Sequence, residues 1–291
     1  MIKYNPKSWF KLIFALQKSD TLRILWKELV YSAILSTALT FIIITYAPLN
    51  GAVLHELVAV FSLVGFVISL LLVFRTNTAY DRWWEGRKKW GELVNDSRNL
   101  AIKLATLSIA KENRDFFRRM ISNFVFATKE HLRQGVIWEE LELTAEELAE
   151  LKSKEHVPNV ISLMIYKRVK HLRDEGVITD EQFIIIDKNL NALLDSLGAC
   201  ERIKNTPIPY SYSLFLKKFI FLYVSTLPLA FIVPFGYFSV LITTAIFYVL
   251  VSIEVLAEEI EDPFGMDDND LPTDNLCEKI QANVNEIFKV S

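Results

Sequence analysis

His55, His131, His156 and His171 are the side chains of this sequence best suited to ligate a transition metal or carry a proton near neutral pH. They are scattered, and none pairs with a cysteine or carboxylate at metal-ligand spacing. Two cysteines, Cys200 and Cys277, make no disulfide scaffold. No glycine-rich phosphate loop, G-x-S-x-G elbow or H-E-x-x-H helix occurs. The acidic pairs Glu139–Glu140 and Glu146–Glu147 read as solvated helix faces. A formal charge of −3 excludes a strongly basic nucleic-acid binder, so no nucleic-acid partner is expected. These residue types argue against an enzyme.

The elements that would position any such group are dominated by apolar helices. Hydrophobic residues make up 52% of the 291 positions and charged ones 23%, so the apolar residues must be concentrated in places. Residues 29–47, 57–74, 219–235 and 237–253 carry no Asp, Glu, Lys, Arg or His. At 1.5 Å rise per residue each run makes roughly 26–28 Å of helix, close to one hydrocarbon thickness. Pro234 and Gly236 break the last two runs into separate helices joined by a tight turn. Four transmembrane helices follow. None holds an ionisable residue, which argues against a proton-coupled carrier.

Charge placement orients them. Of 32 Lys and Arg, 6 precede residue 29, 24 lie between residues 75 and 218, and 2 follow residue 256. The positive-inside rule then places both termini and the long middle segment in the cytoplasm. The first run begins too late for a cleavable signal, and residues 1–28 read as an amphipathic helix on the membrane surface or on a neighbouring subunit. The expected divisions are this segment, helices one and two within 29–74, a helical block over 75–218, helices three and four within 219–256, and an acidic cytoplasmic segment over 257–291.

The block 75–218 is helical throughout by its spacing. Leu93, Leu100, Leu104 and Leu107 follow a helical period behind Trp83, Trp84 and Trp90. Residues 112–133 form another helix. Thr144 with Glu147, and Thr179 with Gln182, match the capping box and open helices at 145–153 and 180 to about 203. Pro158 suits the first turn of a helix running to about 174. The fold class is all-α: four transmembrane helices plus a cytoplasmic helical bundle.

Against that background one stretch is specific. The run from Phe74 to Arg87, with Arg75, Asp81, Arg82, Trp83 and Trp84 inside it, resembles the signature of the bestrophins, their bacterial homologues in particular. Residues 261–270 are similar to that family's acidic segment. The resemblance implies a pentameric ring around one axial pore that conducts monovalent ions, chloride and other anions by family default. It implies that Phe66, Leu70 and Phe74 form a hydrophobic neck, since the i, i+4, i+8 spacing keeps them on one helix face. Without the resemblance the three would read as lipid-facing or packing residues. Ile184 is the candidate for a second, cytoplasmic constriction, with ordinary bundle core as the other reading. Arg75, Asp81, Arg82, Trp83 and Trp84 are expected to brace the membrane–cytoplasm junction, Arg82 pairing with Asp81 or the acidic tract.

The resemblance also raises Ca²⁺. Asp267 and Asp270 match the carboxylate positions of the animal calcium clasp, while Met266 and Asn269 stand where acidic residues are found there. A hydrated acidic tail is the alternative. For the whole chain, the readings beside an anion channel are a monovalent cation (sodium) channel of the same fold, a non-conducting membrane scaffold, and a carrier.

Overall fold

The computed structural model describes residues 21–46 and 51–290, with side chains in the second helix from residue 56 onward. The amphipathic segment therefore lies outside the described residues except for 21–28. The described residues form ten α-helices and one short 3-10 turn, Trp138–Glu140, with no strand. In chain order these are α1 (Thr21–Tyr46), α2 (Gly51–Ala105), α3 (Lys111–His131), α4 (Ala145–Lys152), α5 (Val157–Asp174), α6 (Asp180–Asn205), α7 (Tyr210–Thr226), α8 (Pro228–Phe235), α9 (Phe238–Glu261) and α10 (Thr273–Val290). Four stretches are long and apolar enough to cross a membrane: α1, α2 from Glu56, α7 with α8, and α9.

Helices α1, α7, α8, α9 and the first part of α2 form one compact unit. Ile68 and Leu72 of α2 pack on Leu216, Ile220, Tyr223 and Val224 of α7, on Leu227 and on Leu250 of α9. Gly65 admits the phenol of Tyr223, since a Cβ there would lie 2.6 Å from its Oη. Small hydroxyl residues let α1 and α9 approach: Thr40 and Ser239 are fully buried, their oxygens 3.4 Å apart. The break between α7 and α8 falls at Pro228, which has no N–H to continue the ladder. The tight turn after α8 falls at Gly236, whose φ of +51° suits a residue without a Cβ.

The remaining helices form a second, polar unit, beginning at Trp84 and ending at Thr206, with α10 added to it. Helix α2 runs through Phe74 and Arg75 without interruption to Ala105, so the expected boundary at residue 75 does not coincide with a helix end. The compact units divide at Trp83 and at Pro207 instead of at 75 and 218. The physical reason is that the inward stripe of α2 continues from Leu72 to buried Arg75 and Ala79, beyond the last residue of the uncharged run.

Local signals set the polar helices. Both capping boxes form: Thr144 Oγ1 accepts from the Glu147 N–H at 3.3 Å and Glu147 Oε2 accepts from the Thr144 N–H at 2.8 Å. Thr179 and Gln182 do the same at 3.3 and 3.0 Å. Trp90, Leu93, Leu100, Phe117, Phe124, Ile161, Ile165 and Leu193 are buried in the core. Of the two acidic pairs expected to be solvated, Glu139 and Glu146 are exposed but one residue of each pair is engaged. Glu147 forms a 2.7 Å ion pair with Arg119, its side chain only 12% exposed, and Glu140 holds Lys129 at 2.7 Å. The C-terminal segment is likewise no hydrated tail. Helix α10 buries Cys277, Ile280 and Val284 and packs along α3.

Lys129 is almost fully buried and touches Glu130, Glu140 and Asp274 at 2.7–3.0 Å. Arg133 reaches Glu130 at 3.1 Å and Asp274 at 2.7 Å. Hydrogen bonding from Arg133 and Lys129 outweighs burial and holds the Asp274 carboxyl well below the usual carboxylate range. A depressed carboxyl stabilises the fold above its unfolded value of about 3.9 and ceases to as pH falls through the folded value. The melting temperature should therefore drop below about pH 4 in the wild type. Asp274→Asn should lower it at neutral pH and flatten that acid limb. Because Asp274 is half exposed, water screens part of the effect. A pH–melting series on both proteins checks it, and parallel acid limbs would refute the assignment.

Candidate functional site

Helix α2 is built with two faces. At about 100° per residue, Ile68, Leu72, Arg75 and Ala79 fall about 180–240° around the helix from Phe66, and all four are buried. The opposite face carries Phe66, Leu70 and Phe74, which are 66, 44 and 57% exposed within the single chain. Each is about 6 Å further along the axis than the last. All three sequence-predicted neck residues thus stand on one outward face of one rigid helix.

That face turns polar beyond Phe74. Asn77 and Asp81 lie within about 60° of the Phe66 direction and are exposed. Three hydroxyls on α2 are turned back on the helix: Ser62, Ser69 and Thr78 donate to the carbonyls of Val58, Gly65 and Phe74 at 2.8–2.9 Å. Their protons are occupied, so what they offer outward is lone-pair density.

The expected junction residues fall on different sides of the helix. Arg75 is 2% exposed, with Nη2 2.6 Å from Glu261 Oε2 and Nε 3.7 Å from Glu254 Oε2. Arg82 Nε donates to the Glu261 carbonyl at 3.0 Å, so Arg82 reaches the start of the acidic tract. Both arginines meet the C-terminal end of α9, where the free carbonyls and the helix dipole favour cations. Glu261 also accepts the Ile208 N–H at 2.6 Å. Trp83 stacks on Tyr80 and donates its indole N–H to the Asn269 carbonyl at 3.1 Å. Trp84 and Asp81 are exposed. Glu254 is the partner that sequence reasoning missed. It sits one residue past the uncharged run 237–253 and one turn past buried Leu250.

In the polar unit Ile184 is 67% exposed on α6, while Ile186 two residues on is 1% exposed. Ile184 is therefore outside the core of its own chain.

The acidic tract lies between α9 and α10. Asp267 is exposed and Asp270 buried, and neither belongs to a gathered set of three potential side-chain ligands. The carbonyls of Pro263, Phe264 and Asn269 accept hydrogen bonds from Leu271, Arg133 and Trp83. What the tract does visibly is pack: the Phe264 ring is buried against Gly86, where a Cβ would stand 3.1 Å from it.

A model of the family described as bacterial/fungal bestrophin protein matches residues 1–286. A voltage-dependent anion channel-forming protein of Nostoc sp. is 34% identical, over 98% of this chain and 93% of its own length. One from Escherichia coli K12 is 33% identical with the same coverage. A mutant crystal structure of a bacterial bestrophin homologue from Klebsiella pneumoniae is 30% identical and covers 89% of this chain and 98% of its own, with a TM-score of 0.81. With the match running along nearly all of its length, the chain belongs to the bacterial/fungal bestrophin family.

Proposed function

We propose that the protein is a homo-oligomeric ion channel, a pentamer in a bacterial inner membrane with both termini cytoplasmic, that conducts small monovalent anions such as chloride. The observation that carries this is the outward apolar face of α2. In the most apolar stretch of that helix only 11% of residues are buried by the chain itself. Four helices without a polar face cannot hold a water column in one chain, so the conduit forms where copies of α2 surround an axis. Phe66, Leu70 and Phe74 then make three apolar rings over about 12 Å, a constriction that gates by dewetting. Exposed Ile184 supplies a second ring on the cytoplasmic side. The names of the Nostoc and Escherichia coli relatives support an anion as the ion conducted.

One observation favours the opposite sign. Asp81 stands on the neck face of α2 one to two turns past Phe74, and repeated around an axis it would set a ring of carboxylates at the mouth. Reversal potentials of the purified protein in planar bilayers under a salt gradient separate the two. Asp81→Asn should shift selectivity toward anions. One unit charge acting across about 4 Å of water contributes about 1 kcal/mol, or about fivefold in a partition ratio. An unchanged reversal potential in Asp81→Asn removes Asp81 from the pore. Absence of single-channel steps, with a monomer by native mass measurement, would sink the channel reading.

A further inference from the structure

Three helices of the polar unit bring together side chains that lie far apart in sequence. His131 is the last residue of α3, His156 precedes the first residue of α5, and Glu201 lies near the end of α6. Glu201 Oε1 accepts from His131 Nε2 at 2.8 Å and from His156 Nε2 at 2.7 Å, and the two rings are 4.3 Å apart. All three potential ligand atoms lie within 4.8 Å of one another. Each side chain is about one-third exposed, so water reaches the cluster.

We propose that His131, His156 and Glu201 form a binding site for a divalent transition-metal ion of the size and preferences of zinc, clasping the ends of α3 and α5 to α6. Two imidazole nitrogens and one carboxylate oxygen are the ligand set of an open tetrahedral site, with water in the fourth position. Bonds of about 2.0–2.1 Å in a tetrahedron hold ligand atoms about 3.3 Å apart. The two nitrogen–oxygen pairs therefore open by about half an ångström each, a side-chain adjustment. The C-terminal end of α3 at His131 adds its negative dipole end to the carboxylate charge, both of which favour a cation.

The metal-free and metal-bound states differ in two proton positions, since His131 and His156 each give up the Nε2 proton that they donate to Glu201 and keep one on Nδ1. His156 Nδ1 accepts the Asn159 N–H at 3.3 Å and caps α5, which keeps the ring proton on Nε2. Ligation through Nε2 moves that proton to Nδ1, so the helix gives up this cap, the longest of the cluster's three hydrogen bonds, in exchange for a metal bond. Cys200, the neighbour of Glu201, takes no part. It is buried, and burial pushes its thiol up to about 12, so it offers no thiolate.

The test uses the full chain in detergent, freed of any affinity tag, stripped with chelator and titrated with zinc alone. The expected result is uptake of about one ion per chain, weakened at least about thirtyfold in Glu201→Gln and in His156→Gln. Zinc should raise the melting temperature of the wild type and not that of Glu201→Gln. Zinc affinity equal in wild type and in the His131→Gln/Glu201→Gln double variant overturns the site. Should the variants fail to fold, X-ray absorption on the zinc-loaded wild type decides, and a spectrum without histidine scattering overturns it as well.

Discussion

Leu70→Ala is expected to raise unitary conductance about tenfold, the change that accompanies about 1.4 kcal/mol off a crossing barrier. The barrier in an apolar constriction is the cost of dehydrating the ion where water itself is expelled, and cutting the middle ring to methyl groups lets water stay. Leu70 is exposed in the single chain, so the substitution leaves no cavity in its own core. The matched control is Leu241→Ala on α9, 60% exposed but on another helix, which should leave conductance unchanged. If α2 turned its outward face to lipid, both variants would behave as wild type in single-channel recording. That outcome would end the neck assignment.

Arg75→Met should destabilise the fold by about 3–5 kcal/mol, because it strands buried carboxylates without their cation. At roughly 2–4 °C per kcal/mol for a chain of this size, the melting temperature should fall by about 10 °C. Glu254 is almost fully buried beside Arg75, and Glu261 is 14% exposed. Both lose the only basic side chain recorded within ion-pair range of them among the described residues. The informative comparison is the triple variant Arg75→Met, Glu254→Gln, Glu261→Gln. Neutralising the partners should recover a large part of the loss, since the cost lies in the uncompensated charge and not in the missing packing. A triple variant no more stable than Arg75→Met would show that Arg75 acts through its stem contacts instead.

Much of this architecture was legible in the residues. Four uncharged runs of spanning length became four apolar stretches, and Thr144, Thr179 and Pro158 opened helices where their chemistry predicts. The run Phe74–Arg87 pointed to the bestrophin family, and the match over residues 1–286 shows it. The helical period also puts Phe66, Leu70 and Phe74 on one face.

Other features were not legible, for a common reason. The end of an uncharged run is a statement about solvent, whereas the end of a packed unit depends on neighbours, and buried Arg75 and Ala79 keep α2 in the apolar unit past Phe74. Glu140 and Glu147 look solvated in sequence because the arginine and lysine that hold them come from α3. Helix α10 escaped notice because its apolar residues, Cys277, Ile280 and Val284, are sparse and gain meaning only against α3.

By itself the sequence determined which segments are apolar, where most helices begin, and to which family the chain belongs, because hydropathy, periodicity and capping are properties of neighbouring residues. Only the tertiary structure decided that Glu254 and Glu261 answer Arg75 and that His131, His156 and Glu201 meet. Those outcomes rest on contacts between residues 25 to 186 positions apart. Local chemistry cannot specify such contacts until packing has brought the helices together.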